Sequence, residues 1–362
     1  MDVAVAGGGI IGCAVAWELA RRGVRVTVFE DRGIAAGATF ASAGVLAPYV
    51  EAHEDGVLLE LGVRSLGLYD TFVRDASSDS GHGVEYARCG SVEIASDESE
   101  AAVLRKVVHL RPEQLRWLEG LEVAETDAAL RPGYAGAALA SCHGHVAADQ
   151  LTNALAVAAQ RHGAVVVPAR VNSVQQRRGR PNVISVDGDG REFDWVVIAC
   201  GSWSGMVTVD DDPVIPVFPV KGQLLRVRWS GPAVSRVLWG PGCYVVPRRG
   251  GYLLVGATVE DAGFDERTTD AAVNQLMSAV REMLPAAAGA ELLEARAGLR
   301  PATPDGLPVI GASVSSERTL YATGHFRNGI LLAPLTAVLL ADLIVEGRED
   351  PALVALSPRR FT

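Results

Sequence analysis

Three glycines near the amino terminus have the spacing of a nucleotide phosphate site. Gly7, Gly9 and Gly12 follow an apolar run of strand length and open a helical stretch. In such a site the first glycine permits a tight turn, the second lets backbone approach a pyrophosphate, and the third lets helix and strand pack closely. The helix start also offers unpaired N–H groups and a positive dipole end to the phosphates. The pattern predicts that the protein binds a dinucleotide.

Glu30 narrows the choice of dinucleotide. It ends the next predicted strand, Val24–Phe29, where a carboxylate accepts hydrogen bonds from an adenosine ribose and disfavours the 2′-phosphate of NADP. The loop that follows, residues 31–44, consists largely of small and hydroxyl residues. Such a loop lets backbone come close to a bulky ligand, and Thr39 and Ser42 are candidates to contact its phosphates or sugar.

A second helix start, close to the carboxyl terminus, favours FAD over NAD. The predicted strand Thr319–Gly324 ends in glycine and leads through His325–Gly329 into an apolar helix from about Leu332 to Val345. A helix start at the end of a strand stabilises negative charge. NAD enzymes rarely need a second such site, whereas a flavin gains negative charge near N1 and the C2 carbonyl when it takes up electrons.

The predicted elements that position these residues follow two patterns, one of parallel βαβ units and one of antiparallel sheet. After residue 146, a helix over Asp149–His162 and a strand over Trp195–Gly201 return to the spacing of parallel βαβ units. Ligands bind beyond the carboxyl ends of strands in such sheets, and Gly201 and Trp203 lie at one such end. Pro216–Arg228 and Cys243–Ala257 instead alternate in hydrophobicity, the latter around a turn at 249–251, which predicts antiparallel sheet.

The remaining periodic segments complete the predicted elements. These are helices over Leu58–Arg74, Ala101–Leu110 and Ala271–Leu284, a helical turn from Pro112 towards Trp117, strands over Cys89–Ala95 and Asn182–Val186, and a buried strand over Ala164–Val167. The fold class expected is α/β, with a Rossmann-like FAD-binding domain and an inserted α+β substrate domain built on an antiparallel sheet. The expected FAD-binding domain comprises 1–48, 146–215 and 296–362, and the substrate-binding domain comprises 49–145 and 216–295.

Composition excludes several classes of partner. The chain has 362 residues, 49% of them hydrophobic, and a formal net charge of −10, which argues for two packed domains and against nucleic acid or an anionic membrane surface. We found no stretch of about 18 apolar residues, the length of a membrane span, and no basic region preceding an apolar signal segment. Five cysteines without CxxC spacing fit a reducing compartment, so the cytoplasm is expected.

A metal site is not expected. Cys142, His143 and His145 lie close together in the sequence, but they fall in one short loop without a fourth ligand at zinc-type spacing.

Several segments, taken in order through nearly the whole chain, resemble the glycine oxidase branch of the D-amino acid oxidase family. The first, Gly7–Gly12 with Glu30, is common to many FAD and NAD proteins, whereas the last is the most specific to this branch. The other segments are Ala38–Gly44, Gly201–Ser204, Pro219–Gln223, Gly256–Glu260, Gly298–Pro301 and Gly324–Pro334.

The resemblance implies roles for particular residues. Arg300 would clamp the substrate carboxylate, for which a guanidinium offers two parallel donors, and Tyr244 and Arg327 would lie beside it. The substrate pocket would include Trp239, Gly242, Val259 and Ala47. FAD, bound without a covalent link, would contact Gly7, Gly9, Ile10, Ile11, Gly12, Glu30, Asp31, Thr39, Ser42, Ala43, Gly44, Val171, Gly201, Trp203, His325, Arg327, Asn328, Gly329, Ile330 and Leu331.

The chain departs from the resembling enzymes at two pocket positions. Gly242 stands where they have a histidine before Cys-Tyr, and Val259 stands where they have a methionine after Gly-Ala-Thr. These differences make a larger D-amino acid or an N-methyl amino acid a more plausible substrate. No cysteine follows Cys243 to provide the covalent flavin link of monomeric sarcosine oxidases.

The resemblance also implies a reaction. Hydride passes from the α-carbon of an amino acid to flavin N5, the imine hydrolyses, and oxygen reoxidises the flavin to give hydrogen peroxide. The imine could feed thiazole synthesis for thiamine, and a homotetramer is the family habit. Two alternatives stay open at this stage: a dehydrogenase with a different electron acceptor, and an FAD-binding tailoring or regulatory protein.

Overall fold

The structure is a computed structural model that describes residues 1–177, 179–185 and 190–362. Its strands are β1 (Asp2–Ala6), β2 (Arg25–Phe29), β3 (Val45–Leu46), β4 (Tyr86–Ala87), β5 (Ser91–Ala95), β6 (Leu115–Glu119), β7 (Gly136–Ala140), β8 (Gly144–Val146), β9 (Val165–Val167), β10 (Val171–Arg177), β11 (Arg180–Ser185), β12 (Gly190–Glu192), β13 (Trp195–Ile198), β14 (Thr208–Val209), β15 (Phe218–Arg228), β16 (Val237–Gly240), β17 (Cys243–Arg248), β18 (Tyr252–Gly256), β19 (Glu291–Ala302), β20 (Val309–Ala312) and β21 (Thr319–Thr323). Its α-helices are α1 (Ile10–Arg21), α2 (Pro48–Glu51), α3 (Val57–Ser80), α4 (Glu98–Leu110), α5 (Gly120–Thr126), α6 (Ala148–Arg161), α7 (Asp270–Met283), α8 (Gly329–Ala341) and α9 (Ala352–Leu356). Short 3-10 helices cover Gly37–Thr39, Gly201–Met206, Pro285–Gly289 and Pro358–Phe361, and a π-helical turn covers Asp342–Glu346.

A mostly parallel sheet has the strand order β20-β21-β13-β1-β2-β9. The central strand β1 pairs in parallel with both neighbours, so that Val5 lies opposite Val28 and Val197. All of β1 after Asp2 is buried, as expected for a strand covered on both faces. The predicted βαβ fold, resuming after residue 146, is confirmed. The strand β9 lies at the edge, however, and Val165 is exposed, which corrects the prediction of a buried strand there.

The helix α8 packs against α1 and α3 in the core beside this sheet. Pro334 has no N–H to donate to the Ile330 carbonyl, and the Tyr69 hydroxyl donates to that carbonyl instead, at 2.5 Å. The segment Gly329–Glu346 passes the length and composition test for a membrane span, and 67% of that window is buried within the protein. The expectation that the sequence holds no such stretch is therefore corrected: a core helix that is apolar on all sides meets the same criterion.

A second sheet is mostly antiparallel and has the order β19-β15-β18-β17-β16-β5-β7-β6. The predicted hairpin is confirmed as β17 and β18, which join at a turn where Gly250 and Gly251 adopt positive φ. The predicted helix near residue 271 is confirmed as α7, whose Leu276, Val280 and Met283 are buried in the core of this sheet. Two smaller sheets have the orders β12-β11-β10-β14 and β3-β8-β4.

Three elements differ from their predictions. The strand β6 takes the place of the helical turn predicted from Pro112, because pairing with the distant strand β7 buries its Leu115 and Leu118. The helix α3 continues past Arg74 to Ser80, where Gly81 at φ 68° ends it. The predicted strand Asn182–Val186 corresponds to β11, and Val186 lies outside the described residues.

The two kinds of sheet are closely joined along the chain. The strand β19 runs through residue 296, where a domain boundary is expected, and the β3-β8-β4 sheet brings together segments on either side of residues 48 and 146. The carboxyl ends of the parallel strands thereby face one side of the antiparallel sheet.

Candidate active site

A cavity of about 810 Å³ lies between the two sheets. Residues after β1, β2 and β13 line it on one side, among them Gly7, Glu30 and Gly201, and Tyr244 and Arg300 line it from the antiparallel sheet. Its position at the carboxyl ends of parallel strands is where open α/β sheets bind ligands. Its volume lies in the range of cofactor pockets.

Steric limits explain the opening glycines. Gly7 has a φ of 112°, and a Cβ there would overlap the Ala199 carbonyl. A Cβ on Gly12 would overlap the carbonyl of Gly7, so Gly12 serves close packing of α1 on β1 and is not among the cavity-lining residues. A Cβ on Gly9 would meet only the Thr39 hydroxyl, at 3.4 Å. The backbone at Gly9 is therefore open to the cavity, as a pyrophosphate requires.

Glu30 is fixed in place by backbone donors. Its Oε2 accepts a hydrogen bond from the Gly8 N–H at 2.7 Å, and its Oε1 accepts one from the Arg32 N–H at 2.6 Å. The carboxylate lies at the cavity wall with lone pairs left to accept hydroxyl donors. This arrangement fits a ribose.

The two hydroxyls predicted to contact the cofactor also hold the local backbone. Thr39 Oγ1 accepts from the Ile10 N–H at 3.1 Å, at the first turn of α1, and Ser42 Oγ accepts from the Gly44 N–H at 3.1 Å. Each hydroxyl keeps its own proton to donate. Ala43 lines the same wall.

Charged and aromatic side chains line the rest of the cavity on the side of Gly7 and Glu30. Asp31 pairs with Arg170 at 3.5 Å, and Arg32 stacks over Trp203 with its Cζ 4.4 Å from the ring centroid. Both Asp31 and Trp203 line the cavity. Val171 and Ile11 add buried apolar surface to it.

The loop before α8 presents the second helix start to the cavity. Asn328, Gly329 and Ile330 line it, and the Phe326 N–H donates to the Pro301 carbonyl at 2.8 Å, which holds the loop on β19. His325 also lines the cavity, and its Nε2 lies 3.1 Å from Thr336 Oγ1. Burial lowers the pKa of His325 to about 3, so it is neutral near pH 7.

Arg300 is a half-buried cation whose guanidinium lies over a glycine of the neighbouring strand. On the paired strand β15, a Cβ at Gly222 would collide with its guanidinium. Arg300 Nη1 donates to the carbonyls of Thr258 at 3.0 Å and Lys221 at 3.4 Å. Burial lowers the pKa of Arg300, and no carboxylate of the described chain lies within ion-pair distance of it. An anionic ligand would supply the missing counter-charge.

Tyr244 and Trp239 form an aromatic wall beside this cation. Their ring centroids are 4.9 Å apart, and a Cβ at Gly256 would lie 2.5 Å from the Tyr244 hydroxyl, so this glycine makes room for the tyrosine. Burial raises the pKa of Tyr244, so it stays protonated at neutral pH. Trp239 Nε1 is buried without a hydrogen-bond partner among the described residues. The protonated Tyr244 hydroxyl therefore offers a donor to a ligand.

Arg327 is paired, unlike Arg300. Its Nε lies 3.1 Å from Glu51 Oε2, and its Nη2 lies 3.3 Å from Glu51 Oε1. Burial raises the pKa of Glu51, and the contact with Arg327 opposes that rise. Sequence reasoning missed Glu51, which also lines the cavity. The available signal was a single acidic residue within the otherwise apolar run 45–52.

The remaining predicted substrate-pocket residues and the predicted FAD contact Leu331 lie in three places. Gly242 lines the cavity with a φ of 78°, and Val259 lines it with 66% of its surface exposed. Ala47 is fully buried before α2, and Leu331 is buried in the core under α8. Neither is a cavity-lining residue, because both side chains point behind the wall that their neighbours form. The periodicity of the sequence does not show that distinction.

His143 and His145 are satisfied by hydrogen bonds. His143 Nδ1 lies 2.7 Å from Ser91 Oγ, and Arg248 Nη1 lies 3.0 Å from His145 Nδ1. Burial lowers the pKa of both imidazoles to about 3. Cys142 is a free, exposed thiol.

The fold and this cavity define a class of protein, the FAD-dependent oxidoreductases. The dinucleotide end fits at the opening glycines and Glu30, and the start of α8 supplies a site for negative charge on a flavin ring. The sequence profile of a family described as FAD dependent oxidoreductase (DAO) matches residues 2–343, and the chain belongs to this family.

Comparisons with individual proteins agree. A glycine oxidase of Bacillus licheniformis is 34% identical over 345 residues, which cover 95% of this chain and 93% of that protein. The crystal structure of a glycine oxidase from Geobacillus kaustophilus has a TM-score of 0.92 and 32% identity, with 98% of this chain and 97% of that one covered. A bifunctional protein ThiO/ThiG of Trichormus variabilis is 34% identical, and this chain spans about half of its length, 55%.

Proposed function

We propose that the protein oxidises a small amino acid, such as glycine, sarcosine or a D-amino acid, to an imine. Water would then hydrolyse the imine to a 2-oxo acid and ammonia or an amine. The observation that carries this proposal is the half-buried guanidinium of Arg300, which lines the cavity without a carboxylate partner among the described residues. A substrate carboxylate fits that position with two parallel charge-assisted hydrogen bonds.

The wall residues orient such a substrate. Arg300 would fix the carboxylate, the Tyr244 hydroxyl would donate to it, and the Trp239 indole would close the pocket on the far side. Gly242 adds little bulk to this wall, so it supports a side chain or N-methyl group larger than that of glycine. Holding the α-carbon in one orientation supplies much of the rate enhancement, because positioning replaces the entropy cost of a random encounter.

The chemistry itself needs few protein groups. Bound FAD would supply the oxidant, accepting a hydride from the substrate α-carbon at N5. Glu51 is the carboxylate that lines the substrate side of the described cavity, and its ion pair with Arg327 leaves it poorly placed to act as a base. The first turn of α8 would stabilise negative charge beside the flavin site through its free N–H groups.

The same proposal covers the roles, acceptor and setting that follow from the resemblance. Residues 1–48, 146–215 and 296–362 would hold FAD, and 49–145 and 216–295 would hold the substrate together with Arg300 and Arg327 from the last FAD-binding segment. Molecular oxygen would accept the electrons and become hydrogen peroxide. The five free cysteines suit a cytoplasmic enzyme, and a homotetramer is the family habit. Similarity to glycine oxidases supports glycine as the substrate, and similarity to a ThiO/ThiG protein supports thiamine biosynthesis as the pathway.

The holoenzyme provides the test. Under anaerobic conditions, glycine, sarcosine, D-alanine, D-proline and larger D-amino acids are added separately, and bleaching of the flavin band near roughly 450 nm is followed. We expect one or more of them to bleach it, and oxygen uptake with peroxide formation to follow on admission of air. Bleaching by amino acids without any reaction with oxygen would point to a dehydrogenase.

Variants of Arg300 test the carboxylate clamp. Arg300→Ala is expected to lower kcat/KM about 10²–10³-fold, the usual effect of removing one partner of a buried charge pair. Arg300→Lys keeps the charge and loses the two-pronged geometry, so an intermediate loss of at least about tenfold is expected. An alanine variant whose flavin bleaches as fast as that of the wild type at low substrate would refute the assignment.

A further inference from the structure

The substrate side of the cavity carries an unequal set of charges. Arg300, Arg327 and Glu51 line it, two positive groups and one negative. We propose that Glu51 determines substrate specificity: by occupying Arg327, it restricts the enzyme to amino acids that carry one carboxylate and no second negative charge. This inference rests on the proposed function and adds to it the charge of the accepted substrates.

The contact between Glu51 and Arg327 is a two-point ion pair. The distances are 3.1 Å from Nε to Oε2 and 3.3 Å from Nη2 to Oε1. The Glu51 side chain is 13% exposed and that of Arg327 is 39% exposed, so the carboxylate is the more buried partner. The pair neutralises the Arg327 charge, so its remaining N–H donors offer little net attraction to a carboxylate of the ligand.

The other arginines that line the described cavity are also paired. Arg32 pairs with Glu266 at 2.6 Å, and Arg170 pairs with Asp31 at 3.5 Å, both on the cofactor side. Arg300 is therefore the cavity-lining arginine that has no carboxylate partner within the described residues. The cavity has one vacant position for a ligand anion.

The neighbouring ion pair of Glu93 and His53 does not change the number of free charges that line the cavity. On β5, Glu93 lies opposite Trp239 and pairs with His53 at 3.1 Å. Neither residue lines the cavity, because Trp239 forms the wall on that side. The pair therefore lies behind the wall and offers a ligand no free cation.

This arrangement of charges favours a ligand with one negative charge and disfavours a ligand with two. One carboxylate on Arg300 gives a site in which each charged group on the substrate side has a partner. A second carboxylate would lie beside Glu51 with no free cation among the described cavity-lining residues, and juxtaposed like charges cost up to several kcal/mol. Discrimination of at least about tenfold against the second charge is expected.

Two pairs of matched ligands isolate this charge. Methoxyacetate and diglycolate bear one and two carboxylates, contain no amine to oxidise, and have the same chain geometry up to the second carboxylate. Sarcosine and iminodiacetate are their oxidisable counterparts. Dissociation constants of the first pair are measured from the change in the visible spectrum of the flavin in the holoenzyme, and kcat/KM is measured for the second pair.

The wild type is expected to bind methoxyacetate at least about tenfold more tightly than diglycolate. In Glu51→Gln this preference is expected to fall at least about tenfold, with a parallel gain for iminodiacetate over sarcosine, because Arg327 becomes free for the second carboxylate. Adding Arg327→Gln to that variant is expected to restore discrimination, since the freed cation is removed.

Two control variants separate charge from other effects. Glu51→Asp keeps the carboxylate and is expected to keep the preference for one negative charge. Glu54→Gln removes the same formal charge from an exposed position nearby that does not line the cavity, and its preference should stay within about twofold of the wild type. Glu51→Asn serves as a second neutral variant if Glu51→Gln loses FAD.

The outcomes separate this inference from the proposed function. Wild-type enzyme that binds diglycolate as tightly as methoxyacetate overturns the inference without any variant. It is also overturned if Glu51→Gln keeps the wild-type preference, or if it loses sarcosine turnover without a gain for iminodiacetate, which would mean that Glu51 holds the substrate amine. If no monocarboxylic amino acid bleaches the wild-type flavin, the proposed function fails instead.

Discussion

Replacing Gly222 with alanine tests the role of Arg300 as the carboxylate clamp, because Gly222 leaves the space that the guanidinium occupies. A Cβ on Gly222 would lie 2.1 Å from Arg300 Nη1, 2.2 Å from Nη2 and 2.3 Å from Cζ. Ordinary contact begins at 3.4 Å, so the guanidinium would have to move by about 1.3 Å, the difference between 3.4 and 2.1 Å. That shift would also break its bonds to the carbonyls of Thr258 and Lys221.

The size of the effect follows from this displacement. Misplacing a positioning group by about 1 Å costs on the order of 10²-fold in rate, which corresponds to about 2.7 kcal/mol of lost transition-state stabilisation. We expect Gly222→Ala to lower kcat/KM for the best amino acid substrate about 100-fold. The affinity for FAD should change by less than about threefold, because Arg300 and its carbonyl partners lie on the substrate side.

Steady-state oxygen uptake measures kcat/KM, and quenching of flavin fluorescence on titration of the apoprotein measures FAD affinity. The matched control is Gly67→Ala, an exposed position on α3 where a Cβ would meet no atom within 4 Å. A Gly222→Ala holoenzyme with kcat/KM within threefold of the wild type would refute the reasoning. In that case the carboxylate does not bind where the structure places Arg300.

Two further predictions concern stability. In Gly12→Ala the new Cβ overlaps a backbone carbonyl, so we expect a loss of about 1–3 kcal/mol, as for other overpacked sites, visible as a lower thermal midpoint and weaker FAD binding; an unchanged midpoint would contradict the packing role. Burial lowers the pKa of His143, His145 and His325 to about 3, below the unfolded value of about 6.5. Between these two pH values the unfolded chain binds more protons than the folded chain. The free energy of unfolding therefore rises with pH over this range. Denaturant unfolding at pH 4–8 should show that the free energy of unfolding falls as the pH drops below about 6.5. In His145→Gln the dependence of this free energy on pH should be smaller by about 1.4 kcal/mol per pH unit. An unchanged dependence would mean that His145 has the same pKa in the folded and unfolded states.

The fold class and the nucleotide-binding segment could be predicted from local sequence patterns. The spacing of Gly7, Gly9 and Gly12, followed by Glu30, depends on contacts within a single βαβ unit, so local sequence specified it. The second helix start, at Gly329, and the hairpin of β17 and β18 could be predicted for the same reason. Each depends on turn chemistry and short-range periodicity, which a sequence displays directly.

The identity of the side chains that face the cavity, and the pairing of their charges, depend on contacts between distant segments. The family resemblance implied Arg300 as the carboxylate clamp with Arg327 beside it, and said nothing of their charge partners. The fold pairs Arg327 with Glu51 and leaves Arg300 without a carboxylate partner in the described chain. It also places Leu331 behind the cavity wall, although its neighbour Ile330 lines that wall. Ion pairs between residues 276 positions apart depend on how the two sheets pack together, and no local pattern in the sequence records that packing.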